Sequence, residues 1–136
     1  MAHVTPRMKN WLTGLGAHIA VASKSGIPAV VVVDSATADD DNTIRFKLSE
    51  KQVALIRSQV TENPRVAFGP GGIGSIRAAY QFKGAGRLED NILVVAVDEI
   101  YSTKPGPEAG LRLDVLPYEQ VIQFETSRWL DNGPPK

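Results

Sequence analysis

Whatever chemistry this chain performs must come from a narrow set of side chains. Among 136 residues there is no cysteine and there are two histidines, His3 and His18. Lack of thiols excludes disulfides, thiolate nucleophiles and cysteine-bound zinc or iron–sulfur clusters. His3 lies close to the N-terminus and His18 opens an apolar strand, so neither reads as a metal ligand. No G-x-S-x-G occurs, and no serine can be paired by sequence with a base and an orienting acid. Asp39-Asp40-Asp41-Asn42 imitates a metal loop, but it stands between two β-type segments, where Asp and Asn favour tight turns, and reads as a solvated hairpin tip. Gly69-Pro70-Gly71-Gly72-Ile73-Gly74 satisfies G-x-G-x-x-G literally, with Glu89 at a distance that suits a ribose-binding acid. A dinucleotide fingerprint must open a helix, however, and the stretch that follows contains Gly84 and Gly86 and alternates like a strand. A loop whose backbone N–H groups approach a ligand is the better reading.

What remains is a set of cations suited to an anion. Lys51 falls just inside a helix start, where unsatisfied N–H groups and the helix dipole favour a phosphate. Arg45, Lys47, Arg57 and Lys83 could lie nearby. A basic residue at that place mildly disfavours the helix, so Lys51 is either a solvated lysine or an anion ligand. Trp11, Tyr80, Phe82, Tyr101, Tyr118 and Trp129 are scattered along the chain, as core or interface residues are, and form no stacking platform.

The elements that must position these residues are mostly strands. Thr5-Pro6 caps a short amphipathic helix through Met8, Trp11, Leu12 and Leu15, stopped by Gly14 and Gly16. His18–Val21 and Ile27–Ser35 flank the turn Ser25-Gly26 as a hairpin. Ser49-Glu50-Lys51-Gln52 fits a capping box, Val53, Ile56 and Val60 follow at helical spacing, and Asn63-Pro64 ends that helix. Arg65–Phe68 is a short strand. Ala78–Arg87 alternates, with Tyr80 and Phe82 on one face and Gln81 and Lys83 on the other. Glu89-Asp90-Asn91 is a turn, Ile92–Ile100 a strand covered on both sides, and Lys104–Gly110 a loop. Leu113–Phe124 is ambiguous between strand and helix, although Pro117 opposes a continuous helix.

Composition bounds the rest. Fifteen basic residues balance fifteen acidic ones, so the footprint of a nucleic-acid binder is missing. The longest apolar runs, Ala29–Val33 and Ile92–Val97, are far short of the roughly 20 residues that span a bilayer. No signal-peptide pattern opens the chain, which points to the cytoplasm. A chain of this length buries roughly two-thirds of its unfolded surface, and without repeat or linker residues 1–136 read as one domain.

Four stretches taken in order resemble a known family. They are Ser23-Lys24-Ser25-Gly26-Ile27-Pro28, Asp39-Asp40-Asp41-Asn42-Thr43-Ile44, Thr61-Glu62-Asn63-Pro64-Arg65-Val66-Ala67 and Tyr80-Gln81-Phe82-Lys83-Gly84. With Val97–Tyr101 and Lys104–Gly110, they make residues 16 to 125 similar to the FMN-binding split-barrel proteins related to pyridoxamine 5′-phosphate oxidase. The resemblance implies a mainly β chain with short helices, folded as a six-stranded antiparallel split β-barrel and paired as a homodimer with FMN at the interface. It implies cofactor contacts from Lys51 and Gln52 at the helix start, from Ser35 and Thr37, and from Gln81 and Lys83. Gln52 stands where the family carries a hydroxyl, the Lys51–Asn63 stretch is several residues longer than usual, and Asp34-Ser35-Ala36-Thr37 lacks the arginine often found there. The implied function is an FMN-binding oxidoreductase or flavin electron-transfer protein serving a small redox substrate or protein partner, with no catalytic side chain required. The alternative is a split barrel without FMN that binds another small ligand, F420 or heme, or serves as a structural dimer.

Overall fold

The computed structural model describes residues 2–71, 80–103 and 107–125. Helix α1 (Pro6–Leu15) precedes strands β1 (Ala17–Ala22), β2 (Pro28–Val33), β3 (Ala36–Ala38) and β4 (Thr43–Lys47). Helix α2 (Glu50–Glu62), strands β5 (Arg65–Pro70), β6 (Tyr80–Glu89) and β7 (Ile92–Ser102), and helix α3 (Tyr118–Glu125) complete the order. All pairings are antiparallel, in the order β2-β1-β5-β6-β7-β4-β3.

That order contains its own proof of curvature. β2 and β3 are the two edges of a seven-stranded sheet, yet only Asp34 and Ser35 separate them in sequence. Laid flat, six steps of about 4.8 Å would hold the edges roughly 29 Å apart. Three virtual bonds from Val33 to Ala36 reach at most about 11 Å. The sheet must therefore curl until its edges approach, giving a split half-barrel. Seven strands rather than the expected six result because the run Ile27–Ser35 does not continue into one strand. It breaks at Asp34-Ser35, and the chain crosses the seam to pair Ala36–Ala38 with Ile44–Phe46.

Alternation fills the inside. Ile19, Val21, Val31, Val33, Ile44, Phe46, Val66, Phe68, Phe82, Leu93, Val95 and Val97 are buried. The Phe46 and Phe68 rings meet edge to face at 4.9 Å, and Phe68 stacks on Phe82 at 5.0 Å. Gly84 lies where β6 and β7 lose register. A Cβ there would sit 2.1 Å from the Ala96 carbonyl oxygen, so only glycine permits so close a crossing. The second face of β7 is covered at Val94, which is fully buried. Its cross-strand neighbours are Arg45 and Arg87, and both reach Glu89, at 3.6 Å and 2.7 Å. The covering is therefore intramolecular there.

The helices close the ends. α1 has the expected Thr5 cap and ends at Gly16, whose positive φ of 73° suits glycine. α2 buries Val53, Ile56 and Val60, each worth about 1.5–3 kcal/mol when removed from water. The ambiguous C-terminal stretch resolves as a turn through Leu113–Pro117 followed by helix. The expected hairpin tip is an Asx-turn: Asp40 accepts from the Asn42 and Thr43 amides at 2.9 and 2.8 Å. Gly72–Ser75, Lys104–Gly106 and Trp129 fall outside the described residues, as do Ala78 and Ala79 of the expected strand Ala78–Arg87.

One buried acid ties three segments together. The Glu125 carboxylate accepts from Thr5 Oγ1 at 2.6 Å and from the Tyr80 hydroxyl at 2.7 Å, and all three residues are buried. Burial raises the Glu125 pKa above its ordinary 4.5, against the two hydrogen bonds and the Arg7 charge that lower it. Between the unfolded and native pKa values the native state holds more protons, so this group stabilises the fold below its unfolded pKa and loses that contribution as pH rises. Stability by urea titration should therefore increase from pH 7 to pH 5 in wild type relative to Glu125→Gln, which cannot titrate. Parallel pH profiles for the two proteins would show that the buried acid is not coupled to folding.

Candidate functional site

The seam that closes the sheet also opens a cleft. Val32, Val33 and Asp34 form one side, and Lys47, Leu48, Ser49 and Gln52 the other, around a volume of about 310 Å3. Each wall follows from the local fold. β2 ends at Val33, so Asp34 is exposed at the strand's edge, while β4 ends at Lys47 and the chain turns at Leu48-Ser49 into α2.

The first turn of α2 is locked to that seam. Ser49 Oγ accepts from the Gln52 amide at 3.1 Å and Gln52 Oε1 accepts from the Ser49 amide at 3.0 Å, the reciprocal capping box. Gln52 Nε2 then donates to the Val32 carbonyl at 2.7 Å, holding the helix against the open edge of β2. Gln52 thus lines the cleft with its amide already bonded at both ends. The Glu50 and Lys51 amides have no bonded acceptor among the described residues, leaving two directed donors at the positive end of a 13-residue helix. Two ammonium groups, Lys47 and Lys51, and two carboxylates, Asp34 and Glu50, surround this end, all exposed.

The expected residues do not all converge. Lys51 is the second residue of α2 and shares its first turn with Gln52. Ser35 follows Asp34 in the two-residue crossing, and Thr37 lies on β3 in register with Arg45. Gln81 and Lys83 lie three strands inward from β2, on β6, and Lys83 Nζ sits 4.9 Å from the Tyr101 ring centre. Arg45 is bound to Asp39 and reaches Glu89, and Arg57 is exposed further along α2. The residue given too little weight is Lys47. Its signal was legible: Thr43, Arg45 and Lys47 alternate with buried Ile44 and Phe46, and strand β4 therefore delivers Lys47 outward beside Ser49. Val32 and Asp34 carried no such signal, because their place depends on where β2 stops.

A larger, shallow groove of about 710 Å3 includes His3, Asp98, Asp114 and Tyr118 among its walls. Its acids are already paired. Arg65 grips Asp98 with two hydrogen bonds, at 2.6 and 2.9 Å, and holds its pKa below the ordinary value against burial. Burial pushes Asp114 up, but Arg112 and the Ile100 amide outweigh it and leave the acid below its ordinary value. No group of three or more metal-ligating side chains occurs among the described residues, and no helix there is long and apolar enough to cross a membrane.

No family model and no curated protein matches this sequence. Solved structures do match its fold. HupZ from Group A Streptococcus superposes with a TM-score of 0.59 at 18% identity, covering 78% of this chain and 98% of that one. A protein from Lactobacillus delbrueckii, assigned provisionally as a pyridoxamine 5′-phosphate oxidase, gives 0.58 at 14% identity over 73% and 93% of the two chains. An FMN-binding protein from Syntrophomonas wolfei gives 0.53 at 11% identity over 72% and 84%. The curled antiparallel sheet with its seam and plugging helix is the fold of the split-barrel proteins related to pyridoxamine 5′-phosphate oxidase.

Proposed function

We propose that this protein binds FMN with the phosphate at the seam cleft and works as a flavin oxidoreductase or electron carrier. One observation carries the reading: a cleft lined by Lys47, Ser49 and Gln52 at the start of α2, whose next residues bring Lys51 and two free helix-start amides, in a fold shared with an FMN-binding protein. The donor set suits the group. Lys47 and Lys51 would meet the phosphate as point charges, and the Glu50 and Lys51 amides as directed donors. Asp34 repels a phosphate but accepts from hydroxyls, which suits it to the ribityl chain, with the Ser35 and Thr37 hydroxyls beside it. Gln52 serves by holding the helix start at the β2 edge, and Gln81 and Lys83 supply polar groups further along the sheet. When bound, the isoalloxazine supplies hydride or single-electron transfer, while the chain binds it, orients it and sets its polarity.

The second copy of the chain belongs to the same reading. Ile27, just before β2, and Val30 and Val32 on it are 63%, 48% and 42% exposed, an apolar edge that a homodimer would cover. A second functional reading, a split barrel without FMN that binds another small ligand such as F420 or heme, or a structural dimer, draws on one fact. Arg45 is spent on Asp39 and Glu89, leaving the cleft Lys47 against Asp34, with Lys51 against Glu50 at the adjoining helix start.

Titration of FMN fluorescence separates these readings. Lys47→Ala and Lys51→Ala should each remove a charge-assisted contact of about 1.5–3 kcal/mol, weakening FMN binding roughly tenfold to a hundredfold. Riboflavin, which lacks the phosphate, should bind wild type and both variants alike. Absence of FMN binding by wild type, with a thermal shift from F420 or heme, would favour the second reading. Light scattering at micromolar concentration should return the mass of two chains, and Val30→Lys with Val32→Lys should return that of one. A single-chain mass for wild type would contradict the homodimer.

A further inference from the structure

We infer that His18 recognises the ring of the bound flavin, accepting a hydrogen bond at Nε2 from the ring's imide N–H. The inference rests on the FMN reading above and adds a residue to it. His18 Nδ1 lies 2.9 Å from the Gly71 carbonyl oxygen. A carbonyl can only accept, so Nδ1 carries the proton, and in the neutral ring Nε2 is left with its lone pair as an acceptor. No described residue bonds to that nitrogen.

The place is built for a ring to lie on. His18 is the cross-strand partner of Val32 in β1–β2 and of Gly69 in β1–β5. A Cβ on Gly69 would stand 2.9 Å from both His18 Cε1 and Nε2, so the absence of a side chain there is what lets the imidazole lie against the sheet. Along the neighbouring row Val30, Ala20 and Ala67 face the same side in register. The result is a low apolar floor with one polar atom in it. Val32 belongs both to this floor and to the cleft wall, and directly opposed side chains stand about 5 Å apart. A ligand with its phosphate in the cleft and its planar end across the floor therefore meets His18. Oxidised isoalloxazine carries one ring N–H, at N3, which makes it the donor that an acceptor-only nitrogen selects.

The test compares FMN with N3-methyl-FMN, which keeps phosphate and ring but lacks that donor. Wild type should bind FMN about five- to tenfold more tightly than the methylated form, as expected for one neutral hydrogen bond. His18→Phe, which keeps a flat ring but no acceptor, should bind the two with equal affinity, while His18→Gln should restore part of the preference. The wild-type comparison alone tests the inference should His18→Phe fail to fold. Equal binding of both flavins by wild type, or an undiminished preference in His18→Phe, would overturn the role of His18 and leave the phosphate site standing. Failure of wild type to bind either flavin would overturn the FMN reading and this inference together.

Discussion

The two residues Asp34 and Ser35 constrain the rest of this structure. They join opposite edges of one seven-stranded sheet, and no flat arrangement lets so short a link reach. Curvature is therefore enforced by the covalent chain as well as by strand twist. The hydrogen-bond ladder does not close across the join, since β2 and β3 are not paired. An open edge next to a hydrophobic interior is a liability, and α2 meets it in two ways. Its apolar face, Val53, Ile56 and Val60, faces the core, and the Gln52 side chain satisfies the Val32 carbonyl on the exposed edge.

Charge on the outer surface is largely consumed by the fold. Arg65 binds Asp98 and Glu99, Arg112 binds Asp114, and Arg45 and Arg87 both reach Glu89. Exposed pairs of this kind add little stability each, about 0–1 kcal/mol, but they decide which cations remain to meet a ligand. Lys47 and Lys51 make no ion pair among the described residues, and both border the start of α2. A balanced net charge thus conceals a local cluster of charges without ion-pair partners among the described residues, Lys47 and Lys51 beside Asp34 and Glu50.

Local signals in the sequence were strong wherever a short-range rule decides the outcome. Thr5-Pro6 and Ser49 through Gln52 cap their helices as their side-chain chemistry requires, Asn63 ends α2, and Tyr80 and Phe82 point inward from β6. Signals failed where tertiary geometry decides. Nothing local distinguishes a strand through Ser35 from a strand that stops at Val33, crosses a seam and resumes at Ala36. That one break accounts for the seventh strand and for the Val32-Val33-Asp34 side of the cleft. Gln52 was visible as a capping residue and as a candidate ligand. Its bond to Val32 depends on β2 arriving from twenty residues earlier, which no helical pattern contains.

The seam also explains why the cleft proposed as a ligand site forms without dedicated loops. Closing the sheet by a covalent crossing leaves backbone and side chains that neither edge can pair, and a helix brought in to cover the gap arrives with its N-terminus first. That end carries free amides and tolerates anions for reasons independent of any ligand. The core packing of Val53, Ile56 and Val60 fixes the helix, the capping box fixes its first turn, and the floor of small residues on β1 and β5 is fixed by the ladder. Stability and the shape of the cleft therefore use the same contacts, and a substitution that loosens the Gln52 link disturbs the cleft by moving the helix.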